Sequence, residues 1–70
     1  MDIITGKAVR ELRNRLNLDC AEFAKELGTT ATVVARWEDG AELDCEDQYC
    51  IAALAESYGI TSEYLLAWSD

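Results

Sequence analysis

The sequence predicts an all-α fold of five short helices in one domain, 1–70, on three observations. Seventy residues, half of them apolar, suffice for a single globular core. Apolar residues recur at the three- and four-residue spacing of one helix face. Gly6, Gly28, Gly40 and Gly59, with capping residues beside them, divide the chain into five segments, and no proline, low-complexity tract or internal repeat interrupts it.

The first segment predicts a helix from about Gly6 to Leu16, with Thr5 as N-cap and Ala8, Val9, Leu12 and Leu16 on one face. Asp19 and Glu22 have the spacing of a capping box, opening a second helix that turns Phe23, Ala24 and Leu27 inward and stops at Gly28. Thr30 caps a third, from Ala31 to about Glu38, with Val34 and Trp37 facing the core and Gly40 ending it. The fourth has two candidate N-caps, Asp44 and Asp47, and an expected inward stripe of Cys50, Ile51, Leu54, Ala55 and Tyr58 before Gly59. Thr61 or Ser62 caps the last, Glu63 to Trp68, which is rich in large apolar residues.

A chain this short buries only about 60% of its unfolded surface, which leaves no room for a cofactor fold. No apolar run approaches the roughly 18 residues of a membrane span, and Met1 to Gly6 lacks the features of a signal peptide, so a cytoplasmic location is expected. Cys20, Cys45 and Cys50 lack metal-ligand spacing and there is no histidine, so neither a disulfide nor a metal is expected. No Gly-rich phosphate loop and no nucleophile–base pair is present; the chain reads as a non-enzyme without a small-molecule substrate.

Charge is distributed unevenly. Up to Arg36 there are six bases and five acids; after Arg36 there is no base and nine acids, so the second part carries −9 of a net −8. DNA phosphates are repelled by such a surface.

Small Ala24, Gly28 four residues later, apolar Val34 and the run Ala35-Arg36-Trp37-Glu38-Asp39-Gly40 together resemble the helix-turn-helix of the Cro/CI-type (XRE-like) repressor family. The resemblance extends over nearly the whole chain. It implies a compact five-helix, lambda-repressor-like DNA-binding domain with a central helix-turn-helix. It also implies that Arg13 pairs with Glu38. Ala24 permits close helix approach, Gly28 a positive φ, and Val34 and Trp37 bury the third helix.

By the same resemblance the start of the second helix, the third helix and the loop after it meet operator DNA. The candidate DNA-binding residues are then Cys20, Thr30, Ala31, Thr32, Val33 and Arg36. Arg36 suits guanine, Thr30 and Thr32 a phosphate or base, and Ala31 or Val33 a thymine methyl; Cys20 offers only a weak donor where the family commonly has Gln. Asp19 and Glu22 beside Cys20 oppose a reactive thiolate.

Where the family places basic residues and a proline, this chain has Ala41-Glu42-Leu43-Asp44-Cys45-Glu46-Asp47. Two functions are therefore expected side by side. One is a small phage- or prophage-like transcriptional regulator on operator DNA, as a dimer. The other is an antirepressor or inhibitor whose Glu42, Asp44, Glu46, Asp47 and Tyr49 engage a basic regulator protein. Cys45, Tyr49, Ala52 and Ala53, opposite the fourth helix's buried stripe, with Leu66 and Trp68, form a candidate homodimer seam; alternatively Trp68 closes the core against the first helix.

Overall fold

The computed structural model describes residues 3–69; Met1, Asp2 and Asp70, which entered the N-terminal reading and the charge balance, lie outside these. Over the described residues the chain is all-helical: α1 (Gly6–Arg15), α2 (Cys20–Leu27), α3 (Ala31–Glu38), α4 (Cys45–Ser57) and α5 (Ser62–Trp68). α3 packs against both α2 and α1, while α5 lies on α1 and α4. None of these helices is long and apolar enough to cross a membrane.

The core is one cluster to which every helix contributes. Ala8, Val9 and Leu12 of α1 meet Phe23 and Ala24 of α2, Val34 and Trp37 of α3, Ile51 and Ala55 of α4 and Leu65 of α5. Leu16, Leu27 and Leu54, expected inward, are half-buried at its margin. Ile4 and Leu43 join the core from segments outside the helices.

Local signals set the helix ends. The capping box opens α2, where Asp19 Oδ1 accepts from the Glu22 N–H at 2.8 Å and Glu22 Oε1 from the Asp19 N–H at 3.1 Å. Thr30 Oγ1 accepts from the Val33 N–H at 3.4 Å to open α3. Of the two candidates for α4, Asp44 is the cap: its carboxylate accepts from the Asp47 N–H at 2.8 Å. At the end of α2, Gly28 sits at φ 77° so that the Thr29 N–H reaches the Ala24 carbonyl at 2.9 Å. α1 closes in the same way on a residue other than glycine, Asn17 at φ 62°, with the Leu18 N–H on the Arg13 carbonyl at 3.1 Å.

Three expectations are corrected. Thr5 precedes α1 but its hydroxyl makes no cap; it donates to the Ser69 carbonyl at 3.4 Å, while the Thr5 N–H donates to Ser69 Oγ at 3.0 Å. Ser69, directly after α5, is thereby tied to the residue before α1. The last helix begins at Ser62 rather than Glu63, and Thr61 precedes it without a side-chain cap bond.

The inward stripe of α4 is the third. Cys50 and Tyr58 are exposed, and the inward positions are Gln48, Ile51, Ala52 and Ala55. Their i, i+3, i+4, i+7 spacing is a regular helix face, disguised in the sequence by a polar residue. Gln48 belongs there because its amide is spent on backbone: Oε1 accepts from the Ile4 N–H and Nε2 donates to the Leu43 carbonyl, each at 3.1 Å. Tyr58 instead turns its hydroxyl to Glu26 Oε1, 3.1 Å away. That bond to a carboxylate raises the phenol above its ordinary pKa.

Asp44 therefore has a structural duty that the acids around it lack. Asp44→Ala is expected to cost about 1 kcal/mol, the usual value of a lost N-cap, while Glu42→Ala stays within about 0.5 kcal/mol. Urea unfolding followed by circular dichroism separates the two; equal effects contradict the assignment.

Candidate functional site

α2 and α3, joined by a short turn, pack on each other, and a carboxylate at the end of α3 ties them to α1. Glu38, at the end of α3, is only 5% exposed at its side chain and receives Arg13 in a two-pronged contact. Arg13 Nε lies 2.7 Å from Oε2 and Nη2 3.0 Å from Oε1. Arg10, one turn earlier, adds a bond from Nε to Oε1 at 3.1 Å, and the Arg13 Nη1 donates to the Leu18 carbonyl at 3.1 Å. Arg13 thus bonds both α3 and the segment that leads into α2.

The electrostatics follow from this geometry. Burial pushes the Glu38 carboxyl up, but the hydrogen bonds and charges of Arg13 and Arg10 outweigh it and hold the group below the ordinary carboxylate range. The hydrogen bond to Glu38 raises Arg13 further above neutrality. Both stay charged at neutral pH, and their two-point contact fixes orientation as well as distance.

Cys20 opens α2 beside this brace. Its Sγ is 3.9 Å from Glu38 Oε2 and the residue is half-buried, so the position expected to face DNA is partly turned to the carboxylate. Val33, also expected outward, is half-buried against the core. Thr30, Ala31, Thr32, Ala35 and Arg36 are exposed along α3. Among the described residues Arg36 makes no salt bridge, and it lines a shallow hollow of about 500 Å³ with Arg10, Cys20, Thr32 and Ala35. Arg10 is the participant that the sequence pattern did not single out; its place one turn before Arg13 is the signal that was available.

The acidic residues divide by position. Glu42, Asp44 and Glu46 are exposed and Asp47 half-buried, in the loop after α3 and the first turn of α4. Asp44 caps the helix, and Glu46 and Asp47 lie at its positive end, where carboxylates are stabilised.

On the outer side of α4, Tyr49 is 75% exposed and Cys45, Cys50 and Ala53 are exposed beside it, while Ala52, expected outward, packs against the core. Trp68 and Leu66 are half-buried against the core, and the Arg15 guanidinium lies 4.7 Å from the Trp68 ring centroid. Of the two expectations for Trp68, the one in which it closes the core against the first helix matches this placement. No family model, curated protein or solved structure matches this chain.

Proposed function

We propose that this chain is a small transcriptional regulator of the Cro/CI type, with a lambda-repressor-like helix arrangement, that binds operator DNA through α3 as a pair of copies on a two-fold site. The observation that supports this most is the α2–turn–α3 unit braced on α1 by Arg13 and Glu38, which leaves Thr30, Ala31, Thr32, Ala35 and Arg36 exposed on one helix. Small side chains let a helix approach base edges closely, and Arg36 supplies the bidentate donor for guanine. Arg10, in the same hollow, and Lys25 on α2 supply phosphate contacts.

The test is selection from a random duplex library followed by anisotropy on the recovered sequence. Two neutralised phosphates from each copy, four for the pair, predict about 150-fold weaker binding between 50 and 200 mM salt. Arg36→Ala is expected to lose about tenfold and to relax specificity at one base pair. No recovered sequence at the lower salt, or no effect of Arg36→Ala, refutes DNA reading.

A second function is favoured by a separate observation: exposed Glu42, Asp44 and Glu46 follow α3 directly, and no cation follows Arg36. Such a surface suits a basic regulator protein, with the carboxylates standing where phosphates would bind it. Changing Glu42→Gln, Asp44→Asn, Glu46→Gln and Asp47→Asn together keeps a capping side chain at 44 and removes the charge. Capture of basic regulators on the immobilised protein is then expected to fail; undiminished capture refutes an acidic mimic.

A further inference from the structure

Among the described residues, the most exposed members of the buried core lie together at one place. Of its members, Val9, Leu12, Phe23, Val34, Ile51 and Leu65 are fully buried, whereas the highest exposures belong to Leu43 at 7%, Ile4 at 6% and Trp37 at 5%. Those three residues line a single groove of about 580 Å³ between the N-terminal segment and the loop that joins α3 to α4. Ile3, a large apolar residue left half-exposed, lies on the same groove. The apolar interior therefore reaches the surface at a built concavity rather than on a flat patch.

The rim of this groove has one dominant sign. Asp39 and Glu42, both exposed, stand on its loop side, and Lys7 is the one cation among the described residues that line it. Glu38 also lines it, but that carboxylate is already matched by Arg13 and Arg10. An occupant that matches both features carries an apolar side chain between positive charges.

We propose that this groove docks a basic segment of a partner protein, seating one aliphatic or aromatic side chain over Ile4, Trp37 and Leu43 with Lys or Arg residues beside Asp39 and Glu42. The groove's role rests on the acidic half being a partner surface, and it narrows that surface from a spread of carboxylates to one site. The apolar anchor supplies affinity, and the two carboxylates select the sign of the partner.

Three synthetic nonapeptides serve as probes: lysines flanking a central Leu, the same peptide with a central Ser, and a Leu-centred peptide with glutamates in place of the lysines. Titration into the isotope-labelled full chain, followed by amide shifts, gives both affinity and location. The Leu-centred basic peptide is expected to bind about tenfold or more tighter than the Ser-centred one, as burial of one leucine implies. Its shifts should centre on Ile4, Gly40 and Leu43. Glu42→Gln and Asp39→Asn should each weaken it severalfold, while Glu56→Gln, an exposed carboxylate outside the groove, leaves it unchanged. Equal affinity for the Leu- and Ser-centred peptides overturns the groove but preserves a diffuse acidic surface. Failure of both basic peptides to bind overturns the groove and the acidic partner surface together. Equal binding of the glutamate peptide, or shifts centred on Tyr49 and Ala53, overturns the proposed occupant or its place.

Discussion

Gly6→Ala is expected to leave the protein largely unfolded at room temperature. Helix propensity alone points the other way, since alanine at an ordinary helix position gains up to about 1 kcal/mol over glycine. Gly6 is buried, however, where the start of α1 crosses the end of α3 backbone to backbone. A Cβ there would overlap the Trp37 carbonyl oxygen and lie 2.5 Å from the carbonyl carbon and 3.1 Å from Glu38 Cα. All three are main-chain atoms, which no rotamer change can move aside. Relief requires α1 to shift off α3, which opens the core at Trp37 and pulls Glu38 from Arg13. The cost is expected to exceed the 1–3 kcal/mol typical of overpacking, against about 3–5 kcal/mol of total stability for a domain of this size. Far-UV circular dichroism and a urea titration decide it; a variant as stable as the parent would mean that the two helices do not cross in this way.

Arg13→Met carries the second large effect. It leaves the Glu38 carboxylate almost wholly buried with Arg10 as its remaining ion-pair partner, and Arg10 is itself 60% exposed. Breaking a buried pair from one side costs about 3–5 kcal/mol, and the surviving Arg10 bond places this change near the lower figure. The double variant Arg13→Met/Glu38→Leu is expected to be more stable than Arg13→Met alone, because no unpaired charge then remains in the interior. A double variant that loses the sum of the two single changes would show that the pair is not coupled.

Acid adds an independent check on Glu38. Its carboxyl is held below the ordinary range when folded, so the unfolded chain takes up a proton first as pH falls. The stabilisation is present above the ordinary carboxylate pKa and is lost as pH falls through the lowered folded value. Glu38→Gln should therefore flatten the decline of stability across that acidic window. An unchanged slope would remove Glu38 from the account.

Much of the fold was legible from local chemistry. The spacing of Asp19 and Glu22, the position of Gly28 and the short stripes of α1 to α3 each act within one or two turns, so their physics is contained in the sequence window that displays them. The Arg13–Glu38 contact spans 25 residues and came from family resemblance, not from pattern; the structure adds Arg10 and the near-complete burial of the carboxylate. α4 was misread in one respect because its inward face includes Gln48, whose polarity is answered by backbone groups of Ile4 and Leu43 that only folding brings near.

The sequence by itself determined that this is an all-helical chain, the order and approximate extent of its five helices, and which of its halves carries the negative charge. Those properties depend on side chains acting on their own backbone neighbours or on simple addition of charges. Tertiary structure alone decided that Gly6 is a contact glycine rather than punctuation, that Asp44 and not Asp47 caps α4, that Trp68 packs on the core, and that the core opens between Ile4, Trp37 and Leu43. Most of these are facts about distance between segments remote in the chain. Close packing fixes such distances to fractions of an ångström, and no periodicity in a single segment encodes them.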